Sequence, residues 1–447
     1  MIPLLKNIKN IVIGILAIAA IVIIFWTPEG AKDDNKIHIK YWFVAGKKDD
    51  IPYSALKFNQ SQDSIYVDCT PIPWNEHEKK LLTSILSEDP PDVVMLVSTV
   101  PKWAARRALV NLDEAITDDD FDSTQFYEAL WEEMHYNGDV YAVPCYTASY
   151  AFFYNKDIFK EAGLDPEMPP KTWEELKEYS KKITVENNGK LSRIGFIPHY
   201  GNIETSFVMA LELGAEFKDS TGTKVNLTDP KMIKAFDEEL ELFNGIPIEE
   251  VNAFMGGFGY GSQHGFISGK IGMMILDNTF IDQIKTYNPE LNYSVSEIPS
   301  FPGMEAKSST GSWWYAIPRG AKNKKAAWEF MKYCVRRDIQ LEESLSMEQS
   351  LFPANVKAAS SPEFLAKHFA MKIFDEQMKH TKSKVIFPLI HDVFWREFSM
   401  ARERILYKNQ TPYDALKQAE TTIQFNLDRA IEYDNYVQSK LPVEQFK

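Results

Sequence analysis

The side chains best equipped for chemistry in this 447-residue chain are rings and hydroxyls rather than nucleophiles or metal ligands. Trp42 and Trp74 fall at the ends of runs that read as β-strands, and Ser98 and Thr99 follow a third. Trp313 and Trp314 are adjacent, and neighbouring strand residues point to opposite faces, so one indole is expected to reach an open surface while the other packs. An indole offers a flat apolar face and a hydroxyl both donates and accepts, a combination suited to holding a small polar molecule without making bonds to it. Motifs for bond making do not occur. There is no HExxH and no GxSxG, and the eight histidines are scattered. Gly265-Phe266-Ile267-Ser268-Gly269-Lys270-Ile271 has the wrong spacing for a phosphate cradle and lacks its metal-binding hydroxyl. Asp118-Asp119-Asp120 reads as a solvated loop, and Cys69, Cys145 and Cys334 have no CxxC spacing and allow at most one bridge. Neither a metal nor a cofactor is expected.

The elements that would position these residues follow from periodicity. Ile37, Ile39, Tyr41 and Phe43 alternate with His38, Lys40 and Trp42, and Ile65, Val67 and Cys69 alternate in the same way, so both stretches read as strands. Val93 to Val97 is a continuous apolar run, as for a strand buried on both faces, and Leu81, Leu82, Ile85 and Leu86 recur at helical spacing before it. Strand–helix–strand order predicts a right-handed crossover and an open parallel sheet. Ligands collect at the carboxyl ends of such strands, where loops diverge, here Trp42 to Gly46, Pro71 to Trp74 and Ser98 to Pro101. Thr172 with Glu175, and Thr411 ahead of Pro412, mark two helix starts. Gly256, Gly257, Gly259, Gly261 and Gly265 read as a mobile loop before an apolar strand, Ile271 to Leu276.

With 45% hydrophobic and 13% aromatic residues the chain can bury a large core, and its formal charge of −14 argues against nucleic acid as a partner. Ile11 to Trp26 is an unbroken apolar run with one glycine. Counted from Ile8, it would span roughly 28 Å as a helix at about 1.5 Å per residue. Lys6 and Lys9 before it and Asp33 and Asp34 after it predict a cytoplasmic N-terminus and an extracytoplasmic body. Residues 1–30 read as an uncleaved anchor. The alternative is an ordinary signal peptide.

Asn155-Lys156-Asp157-Ile158-Phe159-Lys160-Glu161-Ala162-Gly163-Leu164-Asp165-Pro166, followed by Pro170-Lys171-Thr172-Trp173-Glu174-Glu175-Leu176, closely resembles the family 1 extracellular solute-binding proteins, the sugar receptors of ABC importers. Further stretches fall in that family's order: Pro91-Asp92-Val93-Val94, Leu109-Val110-Asn111-Leu112-Asp113, Asn137-Gly138-Asp139-Val140-Tyr141-Ala142-Val143-Pro144, Phe266 to Met274, Gly311 to Pro318 and Ala326 to Phe330. The resemblance runs from about residue 37 to 430. It implies an α/β body in the two-lobed periplasmic-binding-protein fold, with discontinuous lobes joined by hinge crossings at Pro144 and Pro299. The first lobe would hold 36–145 and 299–350, the second 146–298 and 351–447. A sugar would bind between them, and a membrane permease would receive it from a monomeric receptor. The usual lipid-bearing cysteine after the apolar run is missing, which bears on tethering.

In that setting the stacking candidates are Trp42, Trp74, Trp313, Trp314 and Trp395, with Tyr146 and Tyr200, and the hydrogen-bonding candidates are Ser98, Thr99, Asn202, Asp277 and Asn278. Trp395 enters because some relatives present a stacking aromatic from the second lobe. Two other readings compete: a membrane-tethered sensing domain for a kinase or chemoreceptor, and an extracytoplasmic glycoside hydrolase using paired carboxylates.

Overall fold

Alternation along Ile37–Val44 (β1) buries Ile39, Tyr41 and Phe43 on one face. Ile65–Ile72 (β2) and Val93–Leu96 (β3) follow, and β3 is buried at every position. The computed structural model describes residues 35–45, 51–201, 203–347, 350–384 and 386–446. The apolar N-terminal run expected to anchor the chain lies outside them, as do Gly46 and Asn202. Among the described residues no helix is long and apolar enough to cross a membrane.

Two short strands, His135–Tyr136 (β4) and Asp139–Val140 (β5), form a hairpin ahead of Val143–Ala148 (β6). The remaining strands are Tyr150–Asn155 (β7), Val185–Asn187 (β8), Lys190–Phe196 (β9), Ile271–Asp277 (β10), Tyr293–Ser296 (β11), Ser308–Ser309 (β12), Gly311–Ala316 (β13), Phe352–Pro353 (β14) and Thr381–Lys382 (β15). One sheet has the order β14-β6-β13-β3-β1-β2 and the other β11-β7-β10-β9-β8.

The expected parallel sheet is only partly parallel. β1 and β3 pair in parallel across a crossover, but β13 lies antiparallel between β3 and β6. The reason is topological: β13 returns from the other sheet, so it arrives without the helical crossover that a parallel neighbour requires. The second sheet is mixed as well, with β10 parallel to β9 and antiparallel to β7.

Alternation on β7 shows how the second sheet is buried on both sides. Tyr150, Phe152 and Tyr154 enter one apolar cluster while Ala151 and Phe153 enter another, which extends to β1, β6 and β13. Helix starts follow local chemistry. The Thr172 hydroxyl accepts from Glu175 N–H at 3.2 Å and the Glu175 carboxylate accepts from Thr172 N–H at 3.3 Å, closing a capping box. Thr411 caps the helix Pro412–Lys440, whose Leu416, Ala419, Ile423 and Leu427 are buried.

The glycine-rich stretch is exposed at Gly256 and Gly257 and packed at its far end. A Cβ on Gly265 would sit 2.7 Å from an Ile271 side-chain carbon and 2.8 Å from the Phe258 ring, so the glycine is needed for close approach and not for mobility. All three cysteines are free thiols, with Cys145 and Cys334 buried.

Candidate functional site

The chain passes from the first sheet to the second between Ala148, the last residue of β6, and Tyr150, the first of β7. Ser149 between them is fully buried and held from several sides. Its N–H donates to Asn278 Oδ1 at 2.8 Å, its carbonyl accepts from Asn278 N–H at 3.0 Å, and its hydroxyl donates to the Phe374 carbonyl at 3.0 Å. The Asn278 amide also donates to the Ser350 carbonyl, so one buried asparagine ties the end of β10 to two connecting segments. An unpaired amide there would cost about 1–3 kcal/mol, which explains why the group is fully engaged.

Beside this crossing lies a cavity of about 410 Å³. Trp74, Val97, Ala148, Gly311, Ser312 and Trp313 line it from the first sheet and its loops. Tyr150, Asp277 and Thr279 line it from the second. The volume falls within the range of about 300–1,000 Å³ typical of small-molecule sites. The Trp74 and Trp313 rings meet edge to face, with centroids 6.5 Å apart and planes at 78°, and Trp74 is 59% exposed.

Backbone register builds the opposite wall. β10 and β7 run antiparallel with Asp277 opposite Tyr150, which brings a carboxylate and a phenol side by side. Asp277 Oδ1 accepts from Thr279 N–H at 2.9 Å and from the Thr279 hydroxyl, which orients the carboxylate at the strand end. Burial raises the Tyr150 phenol pKa, an effect that nearby Asp277 reinforces and Lys384 opposes. The Lys384 ammonium lies 5.0 Å from the Tyr150 ring centroid and 3.5 Å from its oxygen. Gly311 leaves room for that phenol, since a Cβ there would stand 3.1 Å from Tyr150 Oη. Ser312 Oγ lies 3.2 Å from the Thr147 hydroxyl.

Of the sequence-derived candidates, the structure brings Trp74, Trp313 and Asp277 together at this cavity. The others lie elsewhere. Trp314 points to the opposite face of β13 from Trp313 and is buried among Leu96, Trp103 and Ala316. Trp42 faces neither crevice nor open solvent; its parity on β1 turns it toward the helix His77–Leu86, where Lys80 Nζ sits 4.9 Å from its ring centroid. Ser98 Oγ accepts from the Trp103 indole N–H at 2.7 Å, which commits it to fixing a core residue. Thr99 precedes the helix Val100–Ala105 and its hydroxyl is buried.

Tyr146, two residues before Ala148 on β6, is buried in the core of the first sheet, where desolvation holds its phenol pKa well above the usual value. Tyr200 stacks on His264 at 5.3 Å and packs against Phe258 at 5.4 Å. Trp395 packs edge-on against Phe207 at 5.0 Å and Phe394 at 5.2 Å. Asn278 is the clasp just described rather than part of the lining, and Asn202 lies outside the described residues. Sequence reasoning missed Tyr150, Thr279, Ser312 and Val97. Ser312 and Val97 adjoin residues it selected, whereas Tyr150 joins the site only through its pairing with Asp277.

The family model for bacterial extracellular solute-binding proteins matches residues 42–340. This chain belongs to that family. Among similar proteins, a binding protein of Brucella abortus (strain 2308) is 25% identical over 312 residues, covering 68% of this chain and 72% of that protein. The structure of CpMnBP1 with mannotriose bound is 26% identical and superposes with a TM-score of 0.72, covering 87% of this chain and 100% of that one. The sugar-binding protein MalE from Xanthomonas citri, at 18% identity, shares the fold with a TM-score of 0.73 over 90% of this chain and 99% of its own. The solute-binding fold is the two-lobed α/β periplasmic-binding-protein architecture, and the family acts outside the cytoplasm.

Proposed function

We propose that this chain captures a neutral mono- or oligosaccharide in the cavity between its two sheets and delivers it to the permease of an ABC importer. The observation that carries this reading is the pairing of two indole rings, Trp74 and Trp313, with the polar wall of Asp277, Thr279 and Tyr150 around one 410 Å³ cavity. Sugars expose C–H faces that stack on indoles and rim hydroxyls that need donors and acceptors together. The mannotriose held by CpMnBP1 supports the same ligand class. Among the described residues the lining contains a carboxylate and no Lys or Arg, which favours an uncharged ligand over a phosphorylated one.

The lobes would comprise 36–145 with 299–350 and 146–298 with 351–447. Sheet membership supports a crossing near residue 145, since the sheet changes at Ser149, whereas β14 keeps Phe352–Pro353 with the first sheet and Glu444 pairs with Val110, so the last described residues would pack on the first lobe. The parallel pair β12–β15 would be part of the hinge. Ligand touching both walls favours the closed state by its extra contacts there, and no bond is made or broken. The N-terminal apolar run would tether the body to the outer face of the cytoplasmic membrane.

Calorimetric titration of the full chain with a panel of mono-, manno- and malto-oligosaccharides tests the reading, with sn-glycerol 3-phosphate as the anionic comparison. Saturable heat with a neutral sugar and no release of reducing ends is expected. Binding of the phosphate ester alone, or sugar cleavage, would overturn it.

A further inference from the structure

The second wall of the cavity contains a group whose partner comes from outside the lining. Lys384 follows β15, and its backbone N–H donates to Glu133 Oε1 at 3.1 Å. Glu133 is buried, and the Thr310 hydroxyl donates to the same carboxylate oxygen one residue before Gly311. A single buried carboxylate therefore fixes both the segment carrying Lys384 and the strand start that makes room for Tyr150. From that anchor the Lys384 side chain reaches Tyr150 Oη at 3.5 Å, with its ammonium 5.0 Å from the ring centroid.

An ammonium carries three donors and no acceptor, so the phenol oxygen must be the acceptor in this contact. The phenol's own proton is then directed away from Lys384. Gly311 carries no side chain beneath the hydroxyl, and Tyr150 lines the cavity, so the open direction is the cavity itself. We infer that Lys384 is a positioning residue that biases Tyr150 toward donating its hydrogen bond into the cavity, so that the site favours an acceptor oxygen of the bound ligand, such as a ring or glycosidic oxygen, at that point. This rests on the carbohydrate reading above and adds to it a specific demand on the sugar. Without the ammonium the phenol could donate or accept as the ligand dictates, and the site would lose that selectivity.

Two measurements on the full chain decide it. The first needs no ligand: ζ-carbon NMR of the tyrosines, with Y150F identifying the Tyr150 resonance. K384M is expected to move the Tyr150 titration to higher pH, because an ammonium beside the phenol favours the phenolate, and K384R is expected to keep it near the wild-type position. An unchanged titration in K384M overturns the contact. The second is calorimetry with mannotriose. Y150F and K384M are each expected to weaken binding about tenfold, the upper end for one hydrogen bond. Y150F/K384M is expected to bind no worse than Y150F, and K384R to recover most of the loss. A K384M penalty that persists in full on the Y150F background would mean that Lys384 acts on the ligand or the fold directly, which overturns the inference while leaving the carbohydrate reading intact. Failure of the wild type to bind any sugar in the panel would instead remove the carbohydrate reading, with the NMR titration still judging the contact.

Discussion

The two walls of the cavity are built from different chemistry. The first sheet contributes rings: Trp313 from β13 and Trp74 from the loop after β2. The second contributes directional groups: Asp277 at the end of β10, Thr279 beyond it and Tyr150 opposite in register. Ring contact scales with area and tolerates many orientations, whereas hydrogen bonds penalise a misplaced hydroxyl. The ring wall should therefore set how tightly any sugar is held, and the polar wall which sugar is preferred.

The largest expected effect concerns the residue behind the ring wall. W314A removes an indole that is 4% exposed and should cost about 3–5 kcal/mol of stability, the range for emptying an aromatic core position, while changing sugar affinity little once folded. Chemical denaturation alongside calorimetry checks both halves. A large affinity loss with unchanged stability would erase the distinction between the neighbouring indoles.

W313A should do the reverse, weakening every sugar that binds by roughly thirtyfold, the scale of about 2 kcal/mol for an aromatic hot spot. Its loss should be similar across the panel. D277N should cost about tenfold for the preferred sugar and less for the others, compressing the differences between sugars. If W313A compressed the panel and D277N lowered it evenly, the roles assigned to the walls would be exchanged.

A smaller effect concerns the packing behind the second wall. Burial against Phe280 and Tyr200 lowers the His264 pKa to about 4 from an ordinary 6.5, and burial lowers His391 to about 4 likewise. Both are neutral in the fold. Below pH 6.5 the unfolded chain binds more protons, so the stability they contribute is complete above that pH and is lost as pH falls toward 4. Buried Glu133, Glu212 and Glu343 have raised pKa values, so their contribution runs in the opposite direction. The readout is therefore the difference between wild type and H264N: the variant's melting temperature should fall less between pH 6.5 and 4.5, by on the order of a few degrees. Equal slopes would mean that His264 is solvated.

What the sequence revealed depended on the range of the interaction. Local signals were legible: the capping box at Thr172, the proline start at Pro412, the strand alternation of β1, and the strand-end crevice that places Trp74 at the cavity. Parity told Trp313 from Trp314 in kind but could not say which faced the cavity, because that depends on which sheet face the other body covers. Tyr150 was invisible because its role comes from antiparallel pairing with Asp277, more than a hundred residues away in sequence. Trp42, Tyr146 and Trp395 lie away from this cavity for the complementary reason. An indole or phenol near a strand end looks like a platform until a helix or a neighbouring aromatic claims its face.

Small-angle X-ray scattering of the full chain, with and without a saturating sugar identified by calorimetry, tests the central claim most directly. If ligand bridges a wall of rings and a wall of hydrogen-bonding groups, the radius of gyration should contract with sugar in the wild type. The same sugar should produce no contraction in W313A at concentrations where that variant stays unbound. Saturable binding with no change in dimensions, or equal contraction with W313A at those concentrations, would contradict capture between the two sheets.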